Sequence, residues 1–383
     1  MGEQITPNIK MDSQKIYFPN LNGLRFIAAL LVIIFHIEQF KVLFGLENYW
    51  DDSPAIRIIG KLGVVLFFVL SGFLITFLML SEEKSFQSFS ILKFYIRRAL
   101  RIWPLYFMIM VLAFAVIPHV DLLTLPGYPE TVVYQDLVPK ILLFVFFLPN
   151  LALSLYGPVP YAAHLWSIGT EEQFYLIWPW FLRWLKRFRI YAMLSIMIFY
   201  LVVAKFLATG HSDFIPYKST FAAFWSSFNI DCMAIGGVYA ILLFKNHPLL
   251  RILTNKWLFW VVLLTVVLLM CFGVYVHYVH FEFYSMLYGI IILNLAVNKQ
   301  IPMLLETKIL HHLGKISYGI YMYHPIAIVL VLQLAIYYGT TSNLIIYPVS
   351  LFITIVLAAI SFHFYEKIFL KFKPRFSKIK DVD

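Results

Sequence analysis

The sequence contains few charged residues and almost no cysteine. Charged side chains make up 13% of the 383 residues, about half of their usual share in soluble globular proteins. Hydrophobic residues make up 61%, which is more apolar side chain than a soluble domain of this length can bury. The two cysteines, Cys232 and Cys271, lie in separate hydrophobic segments, so we expect no thiol redox chemistry and no metal site. This composition predicts a polytopic membrane protein.

The net charge of +10 is not concentrated in one region, so we expect no nucleic-acid partner. Basic residues instead recur in short clusters between apolar stretches, which is the positive-inside pattern of a protein with many spans. The clusters contain Lys10 and Lys15; Lys84, Lys93, Arg97, Arg98 and Arg101; Arg183, Lys186, Arg187 and Arg189; Lys245, Arg251 and Lys256; Lys299, Lys308 and Lys315; and Lys367, Lys371, Lys373, Arg375, Lys378 and Lys380.

With these clusters as cytoplasmic markers, we predict about ten transmembrane helices. The spans lie near residues 22–40, 60–80, 100–118, 164–183, 189–209, 226–244, 257–276, 281–298, 315–337 and 344–367. Both termini are then expected in the cytoplasm, with residues 1–20 and 372–383 as tails. Since no internal repeat, low-complexity linker or fused soluble domain is visible, we expect an all-α membrane helical bundle that forms one domain over residues 1–383.

One apolar stretch, residues 138–156, does not fit this count of spans. The preceding residues 119–139 are expected outside, whereas the cluster that begins at Arg183 is expected in the cytoplasm. If the stretch crossed the bilayer, the next span would run in the wrong direction. The stretch is also interrupted by Pro149 and Asn150. We therefore predict a re-entrant or interfacial segment, whose backbone must be satisfied by protein or water.

Arg25 and His36 lie in the first predicted span. Their separation corresponds to about three helical turns, so the two side chains share one face, roughly 16 Å apart. An ionisable group in lipid costs roughly 2.5–3.5 kcal/mol. Arg25 can be a snorkelling anchor, and His36 can be a structural histidine with its hydrogen bonds satisfied. The functional interpretation is a face turned into the protein, where the neutral imidazole of His36 acts as a general base.

Three arginines lie where a cytoplasmic loop enters the third span, and the last of them precedes Trp103 and Pro104 closely. Positive-inside charge explains basic residues here, but lysine would serve that purpose equally well. Arg98 and Arg101 are i, i+3 neighbours on a helix, and guanidinium groups bind phosphate in a bidentate geometry. The pattern predicts that Arg98 and Arg101 together bind a phosphate group.

Four further spans carry polar residues in apolar surroundings. His164, Ser167 and Glu171 fall on one helical face, and the adjacent Glu172 is a second acid that an interfacial aromatic belt does not explain. Asp231 is an acid in another apolar span, next to two glycines that favour close helix packing. A further stripe near the C-terminal end contains Ser317, Tyr321 and His324, and Glu366 lies in the last predicted span. Helix capping and a kink at Pro325 are alternatives for that stripe, and a polar cavity lining is the functional interpretation.

In this order, these segments resemble the acyltransferase-3 family of integral-membrane acyltransferases, which includes bacterial O-antigen and exopolysaccharide O-acetylases. The most specific match is an arginine followed, after ten residues, by a histidine, here Arg25 and His36. The other matching segments are 71–75, the Arg98 and Arg101 pair before Pro104, 166–175 and 317–324. The chain departs from the family where Asn22 replaces a common aspartate, and where Ile368 replaces the proline that commonly follows the glutamate and basic residue near the C-terminus.

The resemblance implies acyl transfer from a cytoplasmic thioester, acetyl-coenzyme A in the first place, to a hydroxyl of a glycan or lipid-linked saccharide at the outer face of the bacterial cytoplasmic membrane. Under this interpretation Arg98 and Arg101 hold the donor phosphates, and His36 activates the acceptor hydroxyl or carries the acyl group. Glu171 would orient or protonate the imidazole, and Arg25 completes the catalytic set. The expected cavity lining consists of Glu172, His164, Ser167, Asp231, Ser317, Tyr321, His324 and Glu366.

Two other classes of protein remain open. A proton-coupled transporter can use the same buried histidine and acids, although the sequence shows no inverted repeat and no pair of broken helices. A membrane scaffold for glycan assembly needs no catalytic groups, and it leaves the polar faces unexplained. The sequence does not specify the acceptor, the length of the acyl chain or the oligomeric state.

Overall fold

The computed structural model describes residues 15–377 and 380–381. Residues 1–14, 378–379 and 382–383 of the predicted tails lie outside the described residues. Lys15–Ile16 pairs with Lys380–Asp381 in a short parallel ladder. Because this ladder joins the two ends of the described chain, both ends lie on the same side of the bundle, as an even number of crossings requires.

The rest of the described chain is dominated by helices. The longer ones are α1 (Leu21–Leu43), α2 (Pro54–Phe86), α3 (Ile91–His119), α4 (Leu137–Val145), α5 (Pro149–Tyr156), α6 (Trp166–Trp184), α7 (Arg189–Leu207), α8 (Lys218–Phe244), α9 (Lys256–Cys271), α10 (His280–Val297), α11 (Lys308–Lys315), α12 (Ser317–Tyr337) and α13 (Asn343–Phe376). Shorter helical turns cover Asp121–Leu123, Glu130–Tyr134, Ala163–Leu165, Gly210–Ser212 and Leu250–Leu253.

Among the described residues, eight helices are long and apolar enough to cross a membrane, namely α1, α2, α3, α7, α8, α10, α12 and α13. The two other predicted spans correspond to α6, which has 19 residues and carries both Glu171 and Glu172, and to the apolar 16-residue α9. Each predicted span therefore coincides with a helix, and the prediction of an all-α polytopic membrane protein is confirmed. Several helices exceed their predicted bounds. The 33 residues of α2, for example, make it about 50 Å long.

Helix α2 packs closely against α8 through glycines. A Cβ atom on Gly72 would lie 1.9 Å from the Met233 carbonyl oxygen, and one on Gly236 would lie 2.1 Å from the Val69 carbonyl oxygen. Small residues let two helix backbones approach where lipid supplies no hydrophobic driving force between helices. The close packing expected at the glycines after Asp231 is thus present, and it fixes α8 against the centre of the bundle.

The predicted re-entrant stretch forms α4, a break and α5. Phe144 and Phe147 pack against α3, where the Tyr106 hydroxyl donates a hydrogen bond of 2.8 Å to the Phe144 carbonyl. Phe147 has a φ of 58°, which is a turn conformation that few non-glycine residues adopt. The two segments that flank the stretch contact each other, because the Tyr161 hydroxyl donates a hydrogen bond to the Leu123 carbonyl. The chain therefore enters and leaves on one side, which is the arrangement that a re-entrant segment requires.

Candidate active site

Two histidines from different helices meet inside the bundle. Nδ1 of His36 on α1 lies 3.1 Å from Nε2 of His324 on α12. Because side chains on a helix tilt toward its N-terminus, the His36 ring also reaches back to the Val32 carbonyl oxygen, 2.9 Å from Nδ1. His324 is completely buried, whereas His36 is half-buried. The ring of His164 lies 5.2 Å from that of His324, so three histidines from three parts of the chain share one region.

The two predicted polar stripes of α6 and α12 face each other next to these histidines. The Tyr321 hydroxyl lies 2.7 Å from the Ser167 hydroxyl and donates a 2.9 Å hydrogen bond to the His164 carbonyl. Tyr321 lies one helical turn before His324 on α12. The structure brings these two stripes, each predicted to line a polar cavity, into direct contact.

A cavity of about 100 Å³ extends from this contact toward the basic ends of the helices. Arg25, Arg98 and Arg101 from α1 and α3 line it, together with Glu171 from α6. The remaining lining residues are Val64, Phe67, Phe68, Ser71, Ile102, Ser167, Ile168, Tyr175, Ser317, Tyr318 and Tyr321. His36 is not one of these lining residues, but Tyr321, which contacts the His164 carbonyl, is one of them. We call this space the arginine cavity.

Two further cavities share arginines with the arginine cavity. One of about 350 Å³ is lined by Arg25 and Arg101 and also by Lys315, Glu366 and Lys367. Another of about 70 Å³ shares Arg25, Arg98 and Arg101 with the arginine cavity. Arg25 and Arg101 therefore line all three cavities. Because positively charged side chains outnumber carboxylates here, the region suits an anionic, phosphorylated ligand.

Glu171 does not contact His36 as the sequence had suggested. One oxygen of Glu171 accepts a 3.0 Å hydrogen bond from the Ser71 hydroxyl, and the other accepts a 2.9 Å hydrogen bond from the Tyr175 hydroxyl. The guanidinium of Arg98 lies 5.8 Å from the Tyr175 ring centre. Glu171 therefore lines the arginine cavity. The residue that contacts His36, where Glu171 had been expected, is His324.

The other predicted site residues are dispersed. Glu172 accepts a 3.0 Å hydrogen bond from the Trp103 indole, beside the re-entrant turn. Asp231 is completely buried between α8 and its neighbours, where it interacts electrostatically with Glu282 and Lys61. Asp231 is thus not a lining residue of the arginine cavity, and Glu366 lines only the neighbouring cavity that it shares with Arg101.

A family model described as an acyltransferase domain matches residues 18–363. The chain belongs to the acyltransferase-3 family. The match includes the histidines, the arginine cavity and every other predicted site residue except Glu366. The family resemblance found in the sequence is therefore confirmed.

Several named acyltransferases are similar to this member of the acyltransferase-3 family. The peptidoglycan O-acetyltransferase OatA of Listeria monocytogenes is 34% identical over 44% of the chain and 25% of its own length. The O-acetyltransferase OatA of Staphylococcus aureus is 32% identical over 43% of the chain and 24% of its own length. YrhL of Bacillus subtilis, named provisionally as a peptidoglycan O-acetyltransferase, is 28% identical over 92% of the chain and 54% of its own length.

The chain thus matches about half or less of the length of these relatives. No solved structure gives a significant match.

Sequence reasoning missed an ion pair in this acyltransferase-3 chain just beyond the histidines. Lys41 lies 2.8 Å from Glu38, and both side chains are almost completely buried. Glu38 also accepts hydrogen bonds from the Tyr347 hydroxyl and from the Tyr49 backbone N–H. The i, i+3 spacing was the one local signal available, since Tyr347 belongs to the distant helix α13. This pair ties α1, the following loop and α13 together next to His36.

Proposed function

We propose that this protein is a membrane-bound O-acyltransferase, which moves an acyl group from acyl-coenzyme A on the cytoplasmic side to a hydroxyl of a cell-envelope glycan on the outer side. The observation that carries the proposal is the contact between His36 and His324 next to the arginine cavity. A cationic cavity suits a phosphorylated donor, and a neutral imidazole suits the removal of a proton from a hydroxyl.

We place the acyl-coenzyme A donor in the arginine cavity and in the neighbouring cavity that shares Arg25 and Arg101 with it. Arg98 and Arg101 hold phosphates through bidentate hydrogen bonds, as guanidinium groups do where geometry allows. Lys315 and Lys367 line the neighbouring cavity and add positive charge for the phosphates of the nucleotide. The pantetheine arm then extends through the arginine cavity toward Ser167 and Tyr321, which brings the thioester close to the histidines.

His36 acts as the general base. Its imidazole takes the proton of the acceptor hydroxyl while the oxygen attacks the thioester carbonyl carbon. The carbon–sulfur bond breaks, and the leaving thiolate receives the proton from His36, so the imidazole returns to its neutral form. The apolar walls around Val64, Phe67 and Phe68 exclude water, which would otherwise hydrolyse the thioester.

We place the glycan acceptor at the outer face of the membrane. His36 lies in the part of α1 that approaches the outer end of the bundle under the positive-inside orientation. Two of the relatives carry names that specify peptidoglycan O-acetylation. We therefore propose acetyl as the acyl group and peptidoglycan or its lipid-linked precursor as the acceptor, at the bacterial cytoplasmic membrane.

Mass spectrometry of envelope glycans tests this function. Cells that lack the protein should lose a set of O-acetyl groups, and the parent protein should restore them whereas His36→Ala should not. The proposal fails if the glycans carry the same acyl groups with and without the protein. Unchanged acylation combined with loss of glycan from the outer side would support a transporter instead.

A further inference from the structure

The protonation of both imidazoles follows from the atoms that they contact. Nδ1 of His324 lies 2.6 Å from the Tyr321 carbonyl oxygen. A carbonyl oxygen only accepts hydrogen bonds, so this nitrogen carries a proton. Nδ1 of His36 lies 2.9 Å from the Val32 carbonyl oxygen and is protonated for the same reason. A neutral imidazole carries one N–H, so Nε2 of each ring has a free lone pair.

This assignment also explains the contact between the two rings. The Nδ1–H of His36 is shared between the Val32 carbonyl and Nε2 of His324, which is 3.1 Å away. The opposite tautomer of His36 would set its Nδ1 lone pair against the Val32 oxygen and against the lone pair of His324. The contact therefore favours one tautomer of His36, in which Nε2 is the basic nitrogen.

Pro325 supplies the local reason for the orientation of His324. In a regular helix, the N–H of residue 325 would donate to the carbonyl of Tyr321, four positions earlier. Proline has no N–H, so this carbonyl is left for Nδ1 of His324. The ring is completely buried, and the hydrogen bond to Tyr321 therefore directs its Nε2 toward His36.

We propose that His324 is a positioning residue, which holds His36 in the Nδ1-protonated tautomer so that Nε2 receives the proton of the acceptor hydroxyl. The proposal rests on the proposed function, since it takes His36 as the base. Protonation at Nε2 makes the His36 ring cationic, and its hydrogen bond to His324 then becomes charge-assisted and stronger. An interaction that strengthens as charge develops raises kcat more than donor affinity.

Three variants test the role of His324 in the purified enzyme. His324→Leu has a similar volume but no acceptor, and it should lower kcat by about 10²-fold or more with little change in the donor KM. His324→Gln can place its amide oxygen near the position of Nε2, and it should retain at least about tenfold more activity than His324→Leu. His280→Leu is the control, because His280 is also buried but stacks on Tyr275, which does not line the arginine cavity. Equal losses in the Leu and Gln variants, or a change confined to KM, would overturn the proposal.

A second measurement does not depend on activity. In protein with ¹⁵N-labelled histidine, nitrogen chemical shifts distinguish protonated from bare ring nitrogens, and the signals that disappear in His36→Asn identify His36. We expect a protonated Nδ1 and a bare Nε2 in the parent, and a larger share of the Nε2-protonated form in His324→Leu. An Nε2-protonated His36 in the parent overturns the role of His324 and leaves the proposed function standing. The expected tautomer together with full activity of His36→Ala would instead overturn the proposed function.

Discussion

The hydroxyls of Ser167 and Tyr321 lie 2.7 Å apart, and Tyr321 lies one helical turn before His324 on α12. Both residues line that cavity, and Tyr321 also provides the carbonyl that binds His324. The contact joins α6 to α12 beside the path that we propose for the donor.

The replacement of His36 tests the proposed base directly. His36→Ala should lower acyl transfer by at least about 10²-fold, because the imidazole that takes the proton of the acceptor hydroxyl is lost. Insertion should be preserved, since the substitution makes α1 more apolar. Transfer of acetyl from labelled acetyl-coenzyme A by the purified protein measures activity, and size-exclusion chromatography in detergent checks the fold. Near-normal transfer by this variant would exclude His36 as the base.

Arg98→Lys separates phosphate binding from membrane topology. The substitution keeps the positive charge that orients the protein but loses the bidentate geometry of the guanidinium. We expect the donor KM to rise about tenfold or more, in line with the usual contribution of hydrogen bonds to charged groups. Calorimetry with coenzyme A measures the affinity, and Arg187→Lys, in the exposed turn between α6 and α7, is the matched control. If both variants bind coenzyme A like the parent, Arg98 serves topology alone.

The re-entrant segment predicts a specific labelling pattern. Thr131→Cys and Pro158→Cys place thiols at exposed positions on either side of α4 and α5, in a background without Cys232 and Cys271. Both thiols should react with a membrane-impermeant reagent added outside, whereas Arg187→Cys should not. Reaction of only one of the two flanking thiols would mean that the segment crosses the membrane.

The buried ion pair of α1 should matter far more for stability than an exposed one. Lys41→Met leaves Glu38 buried without its cation, and such a loss typically costs about 3–5 kcal/mol. Arg57 and Asp51 form a comparable pair at 3.0 Å, but their side chains are 53% and 82% exposed. Arg57→Met should therefore cost at most about 1 kcal/mol. Unfolding in detergent compares the two variants, and similar losses would contradict the structural role of Glu38.

Much of the fold was predictable from local sequence. The apolar runs and basic clusters located every long helix, because span length and positive-inside charge depend on residues that are close together in the chain. The sides of the membrane expected for the flanking loops also identified residues 138–156 as a stretch that does not fit the count of spans. The turn at Phe147 was not predictable, since it is held by Trp103 and Tyr106 from α3, about forty residues earlier.

The sequence by itself determined which polar residues share a helix face, and it identified the family. It placed Arg25 with His36 and Ser317 with Tyr321 and His324, because residues three or four apart, or whole turns apart, point the same way. It could not determine which faces meet, since the rotation of each helix depends on packing between distant segments, such as the close approach of α2 and α8 at Gly72 and Gly236. Tertiary structure alone therefore decided that His324 contacts His36, and that Glu171 lies with Ser71 in the arginine cavity.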